Sequence, residues 1–211
     1  MPVFTSRVGL APDWCEMEYF EIVTLPAGTT HVFERLGRRE KLIVAGGECR
    51  IGVAGSIVDA QEGANLDLAA GGERFEVLEV LAAATLVRLC GRWGDETGGS
   101  GIFGVQATDR PNDAGDPVDY PKNTSLDNHF HDCDEYWIIL EGCGAAVSEG
   151  RHYQIGPGDC VATGMGHHHD LAVIHEPIRG VYFETTLEGR KRRGHLWEHT
   201  HGPAEPLPER V

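Results

Sequence analysis

The densest chemistry in this chain lies in residues 129–135, His-Phe-His-Asp-Cys-Asp-Glu, joined by three consecutive histidines at 167–169. Side chains on a strand alternate between faces, so His129 and His131 point one way and Phe130 the other, and two imidazoles can reach one ion. Glu135 opens the next apolar strand after a tight Asp-Cys-Asp turn and can supply an anionic oxygen from the neighbouring strand. His169 adds a third imidazole if the segment after Gly158-Asp159 runs alongside. Three neutral nitrogens and a carboxylate suit one borderline divalent transition metal, Mn, Fe, Zn, Ni or Co, and leave room for water or substrate. Neutral imidazoles are required, so occupancy is expected to fall as pH drops through the ~6.5 of free histidine.

The same alternation nominates neighbours. Trp137 follows Glu135 on one face and is expected to wall a substrate pocket. His167 shares the parity of His169 and is expected near the site, with His168 turned away. Tyr120 and Lys122, just before the histidine segment, and Glu184, on the segment 179–186, are candidate acids, bases or hydrogen-bond donors. Arg179 or Lys122 at the entrance would be needed for a phosphorylated substrate.

Strand signals supply the elements that must hold these groups. Segments 18–25, 40–46, 49–55, 75–81, 84–89, 135–142, 144–150 and 179–186 are short, rich in β-formers and bounded by Gly, Pro, Asn or Asp, and none needs a helix. With 28 Gly and 11 Pro for turns, the spacing predicts an all-β sandwich or barrel. Residues 94–101 are expected to be a Gly-rich connection and residues 109–122 a polar loop. Slid against itself by 95 residues, the chain sets Glu40 on Glu135, Gly47 on Gly142, Gly63 on Gly158 and Gly71 on Gly166, with no gap. Two similar β units follow from that register.

These residues resemble the cupins. The first cupin motif is matched by His129, His131, Glu135 and Gly142, with Asn123 in place of its leading glycine. The second is matched by Gly158, Gly166 and His169, with Gly164 for its proline and Val173 for its asparagine. The resemblance implies a bicupin, two double-stranded β-helix (jelly-roll) barrels in tandem: a degenerate one over 1–93, a metal-binding one over 94–187, and a tail over 188–211. Across the repeat, the ligand positions fall on Glu34, Leu36, Glu40 and Arg74, so three of four ligand types are lost. An Arg74–Glu40 ion pair is expected in place of a metal, with the first barrel serving packing and oligomerisation.

Charge and cysteine usage exclude other classes. With 18 Lys and Arg against 33 Asp and Glu, the formal charge is −15, which disfavours nucleic acid and anionic lipid as partners. No apolar run approaches a membrane span, and the start of the chain does not read as a signal peptide, so a cytoplasmic protein is expected. The six cysteines (15, 49, 90, 133, 143, 160) form no CxxC and are expected as reduced, mostly buried thiols. In the tail, a basic run at 190–193 is expected to neutralise acidic surface within a homodimer. His195, His199 and His201 are a conceivable second chelate, and residues 203–211 are expected to be extended or disordered.

Three functions fit. A metal-held hydroxy-carbonyl compound, such as a sugar or sugar acid, can undergo proton transfer (isomerase or lyase). With Fe(II) the same site suits a dioxygenase, and a non-catalytic metal or small-ligand binding module is the third.

Overall fold

The computed structural model describes residues 1–6, 10–68, 75–111, 115–193 and 202–211. Twelve strands occur among them, and no helix: β1 (Val3–Thr5), β2 (Met17–Leu25), β3 (His31–Phe33), β4 (Arg39–Val53), β5 (Ser56–Gln61), β6 (Asn65–Leu68), β7 (Phe75–Gly91), β8 (Thr97–Val105), β9 (Glu135–Ser148), β10 (Arg151–Ile155), β11 (Asp159–Thr163) and β12 (His169–Thr186). No helix of the described residues is therefore long and apolar enough to cross a membrane.

The chain divides into two units. One comprises residues 6–11 and 17–93; the other comprises 1–5, 12–16 and 94–211. The first unit holds one antiparallel sheet in the order β2-β7-β4-β5, with β6 also on β4 and β3 on β7. The second holds a sheet in the order β1-β11-β9-β12-β8, with β10 also on β9. One pairing scheme underlies both. A long strand (β4 or β9) pairs with its hairpin partner (β5 or β10), a short strand (β6 or β11) and a second long strand (β7 or β12), which carries β2 or β8 on its far side. β1 joins β11, so the first residues of the chain belong to the later unit.

Pairs of segments that the turn signals separate, 40–46 with 49–55, 75–81 with 84–89, and 135–142 with 144–150, run as the single long strands β4, β7 and β9. In β4 and β9 the glycines at these junctions let the strand run on past a register break, whereas in β7 the intervening residues are Ala82 and Ala83. Gly47 (φ 80°) and Gly142 (φ 76°) lie in the left-handed region that L side chains avoid. A Cβ there would come within 2.1 Å of the Ala83 carbonyl oxygen or 2.0 Å of the Pro177 carbonyl oxygen. The partner strands break register at the same places, β7 opposite Gly46–Glu48 and β12 between Glu176 and Arg179, where Pro177 falls. Further along, Gly63 N–H donates to the Val44 carbonyl and Gly158 N–H to the Ile139 carbonyl, each at 2.9 Å. These are the same bond in the 95-residue register.

Each unit buries its own apolar face. In the first, Phe33, Leu42, Val44, Ile51, Phe75 and Leu86 are packed together; in the second, Trp137, Ile139, Leu171, Ile174 and Ile178 are, with Phe103, Leu126 and Tyr182 against them. Full burial of one such side chain stabilises by roughly 1.5–3 kcal/mol. All six cysteines are free thiols, five of them buried, as expected from their spacing.

Residues 94–101 correct the expectation of a connection: from Thr97 they form β8, antiparallel to β12. The glycines make room for the side chains of the neighbouring strand. A Cβ on Gly98 would lie 2.6 Å from the Cβ of Glu184, and one on Gly101 would lie 3.0 Å from the Tyr182 ring.

Candidate metal centre

His129, His131, Glu135 and His169 converge in the second unit, with one potential ligand atom from each lying within 4.8 Å of all the others. Ligands about 2.0–2.2 Å from one ion lie at most ~4.4 Å apart, so the cluster is a few tenths of an ångström from closing on a divalent cation. Among the described residues it is the one group of this kind. Glu135 opens β9 and His169 opens β12, whereas His129 and His131 correct the expectation of a regular strand. They lie on an extended segment tied to the sheet by a single bridge, His129 N–H to the His169 carbonyl (3.2 Å) and the reverse bond (2.9 Å). The alternation survives without a strand. Phe130 turns to the other side, under the Arg192 guanidinium and against the His168 ring.

Backbone carbonyls orient two of the rings. His129 Nδ1 donates to the Asp127 carbonyl (2.9 Å) and His169 Nδ1 to the His167 carbonyl (3.0 Å), which leaves each Nε2 as the ligand atom. The Glu135 carboxylate stands 2.6 Å from His169 Nε2 and 3.2 Å from His131 Nε2. Burial and its two imidazole neighbours hold His129 well below the usual histidine value, in the neutral form a metal requires. Burial opposes charge on His131, but Glu135 outweighs it and raises that imidazole. Burial also opposes charge on Glu135, yet His131 and His169 hold its carboxyl well below the usual range. The donor set and its burial thus fit a divalent transition metal.

A cavity of about 400 Å³ opens on the cluster, walled by Phe103, Val105, Leu126, Trp137 and Leu171, with Tyr182 and Glu184 as its polar side chains beyond the ligands. Trp137 is both wall and core, its ring centroid 5.3 Å from that of His169. The Glu184 carboxylate reaches to 4.0 Å from His131 Nδ1. Tyr120 and Lys122 are elsewhere. The Tyr120 hydroxyl (3.0 Å) and the Lys122 ammonium (2.6 Å) both donate to one oxygen of Asp170, a fully buried carboxylate next to a ligand. Burial and Asp170 raise the Tyr120 phenol, which therefore keeps its proton. Asp170 was missed by the sequence reading, although its position beside His169 was a usable signal. His167 is buried near the site, but its Nε2 donates to the Leu207 carbonyl (2.9 Å). His168 turns away as expected, to Asp116 (2.6 Å). Arg179 lies beside Glu141 in a groove that shares Phe103, Val105 and Leu126 with this cavity.

Two departures from the cupin pattern have local explanations. Asn123, in place of a glycine, clamps β12 with its side-chain amide, accepting from Ile174 N–H (2.8 Å) and donating to the Ile174 carbonyl (3.0 Å). Gly164, in place of a proline, has the Arg210 backbone against it, where a Cβ would lie 2.2 Å from the Arg210 carbonyl oxygen. The basic run is committed within the chain: Arg190 pairs with Glu205, Lys191 and Arg193 with Glu96, and Arg192 with Asp132. Residues 202–211, expected as extended or disordered over 203–211, carry no helix or strand, and their backbone and Arg210 dock on the second unit. His195, His199 and His201 lie outside the described residues.

In the first unit the counterpart of Glu135 is plugged. Glu40 is fully buried and takes Arg88 Nε (3.2 Å) and Nη2 (2.8 Å) on one oxygen, with Leu36 N–H (2.6 Å) and Gly37 N–H (3.0 Å) on the other. Arg88 also binds Glu21 and the Glu34 carbonyl. Glu40 thus pairs with Arg88, which the sequence reading did not name; Arg74, the partner expected there, lies outside the described residues. Leu36 is 59% exposed and the Glu34 side chain faces solvent, so neither turns inward beside Glu40.

No protein-family model matches the sequence. The uncharacterized protein y4oW of Sinorhizobium fredii (strain NBRC 101917 / NGR234) is 46% identical over 200 residues, covering 95% of this chain and 92% of that protein. Among solved structures, the conserved protein of unknown function PA5104 from Pseudomonas aeruginosa PAO1 is 15% identical with a TM-score of 0.54, covering 89% of this chain and 95% of its own. That likeness concerns the fold alone. A cupin 2 conserved barrel domain protein from Leptotrichia buccalis is also a neighbour, at 16% identity and a TM-score of 0.41 over 79% of this chain and 83% of that one. His129, His131, Glu135 and His169 of the two sequence motifs meet at one buried site in an all-β frame. The chain belongs to the family of y4oW, with an all-β fold and a His/Glu cluster able to hold a metal ion.

Proposed function

We propose that the second unit is a metal-dependent cupin enzyme acting on a small hydroxy-carbonyl compound, a sugar or sugar acid, by proton transfer in an isomerase or lyase reaction. The observation that carries the proposal is Glu184, a carboxylate in the wall of the ligand-lined cavity and within 4.0 Å of a ligand imidazole. A divalent ion held by His129, His131, Glu135 and His169 would act as a Lewis acid and lower the pKa of a coordinated hydroxyl, for which a carboxylate is a sufficient base. Glu184 then takes that proton on its carboxylate. Tyr182, whose phenol is raised by burial and by Glu184, stays protonated and donates a hydrogen bond to the substrate. Trp137, Phe103 and Leu126 exclude water from the reacting centre. Tyr120 and Lys122, by contrast, act on Asp170 and support the His169 strand.

We further read the first unit as a degenerate cupin unit, making the chain a bicupin. The shared pairing scheme and the matching positive-φ glycines support this, and Arg88 occupies the place where a metal would neutralise the carboxylate.

A dioxygenase is the second reading, favoured by the apolar wall of Phe103, Val105, Leu126, Trp137 and Leu171. Turnover in heavy water separates the two. Proton transfer brings deuterium into substrate or product without oxygen uptake; oxygen consumed in proportion to turnover, with no deuterium entering, contradicts it. Glu184→Gln should keep its metal and lose about 10²–10⁴-fold in rate.

A further inference from the structure

The turn between His131 and Glu135 carries two carboxylates, Asp132 and Asp134, that are not ligands, and both are fully buried. Each is met by an arginine from the end of the chain. Arg192 binds Asp132 through its backbone N–H (3.0 Å), Nε (2.9 Å) and Nη2 (2.9 Å), and its Nη1 donates to the Pro203 carbonyl (2.9 Å). Arg210 Nη1 donates to Asp134 (2.9 Å) while its Nη2 binds Glu188 (2.9 Å). The same Asp134 oxygen accepts Met165 N–H (2.9 Å), so Asp134 joins the turn to the loop that leads into His169.

The terminal segment also grips that loop directly. Leu207 N–H donates to the Met165 carbonyl (3.3 Å), and the Leu207 carbonyl accepts from His167 Nε2 (2.9 Å). His167 in turn orients His169 through its own carbonyl. Gly164 and Gly166 leave the space the segment occupies: a Cβ on Gly166 would lie 2.6 Å from the Glu205 backbone. Three ligands, His131, Glu135 and His169, therefore hang on elements that the segment holds.

We propose that residues 202–211, with Arg192, form a strap that is part of the metal centre, and that Arg210 is a positioning residue for the ligands. This rests on the reading of His129, His131, Glu135 and His169 as a metal site. Buried partners of ligand-bearing elements set ligand geometry, and losing one typically weakens metal binding by about 10–100-fold.

The test is Co²⁺ titration of the full-length metal-free protein, read by affinity and by the visible absorption of the bound ion, with thermal unfolding of each metal-free variant alongside. Arg210→Ala removes the ion pairs. Gly164→Ala leaves them chemically intact but forces the Arg210 backbone off the loop. The strap predicts that both variants, while folded, bind Co²⁺ at least about tenfold more weakly with an altered spectrum, and that Arg210→Lys restores part of the loss. Arg50→Gln, in an exposed ion pair of the first unit, should change neither. If both variants keep wild-type affinity and spectrum while only their melting temperature falls, the strap is merely structural and the proposal is overturned. A wild-type protein that binds no Co²⁺ would overturn the metal site itself, and the strap with it.

Discussion

Glu40 and Glu135 stand in the same register, each at the start of a long bent strand, with the same strands around it. Their partners differ. Glu40 is saturated by a guanidinium and two backbone N–H groups, so no lone pair is left for an ion. Glu135 faces imidazoles, which give up a proton and become ligands themselves. A buried carboxylate must be neutralised, and one scaffold does so in two ways: a fixed internal cation in one unit, a cluster suited to an exchangeable ion in the other. A buried glutamate at this register position is thus compatible with either kind of partner.

The largest effect that follows is on stability. Arg88→Ala leaves Glu40 fully buried without its cation and is expected to cost about 3–5 kcal/mol, read as a fall in the urea midpoint. Metal content should not change, since the ligands all lie in the second unit. A mild loss of stability, or a loss of metal, would break the contrast between the two carboxylates.

A smaller effect concerns protons. In the metal-free protein Glu135 raises His131, so His131 contributes stability that is complete below the unfolded histidine value and is lost as pH rises through its raised folded value. Glu135, held low, contributes in the opposite sense: its share is present above the ordinary carboxylate value and is lost as pH falls through the lowered one. Metal must displace the proton from His131. Calorimetric titration with Zn²⁺ just above pH 6.5, in buffers of different ionisation enthalpy, should therefore show release of up to about one proton per ion. Uptake of protons would contradict the assignment of His131 as a ligand.

How much of this was legible in sequence depends on the range of the signal. The ligand set was readable because strand alternation and the 95-residue register are local and periodic, and they survive even where His129 and His131 lie outside a regular strand. The Arg88–Glu40 plug and the Arg192 and Arg210 contacts were not, because pairs 48 to 76 positions apart leave no periodic trace. β8 was misread for a different reason. Its glycines looked like a connection, whereas they serve the bulk of Tyr182 and Glu184 on the next strand. Lys122 and Tyr120 carried the right chemistry for a base but are spent on Asp170, whose signal in the sequence was its place beside His169.

The most direct measurement is the metal content of untagged protein, by elemental analysis, for the wild type and His131→Ala. One divalent ion per chain in the wild type, and essentially none in the variant, is the result the account predicts. No ion in the wild type, a second equivalent, or an ion that survives His131→Ala would contradict it.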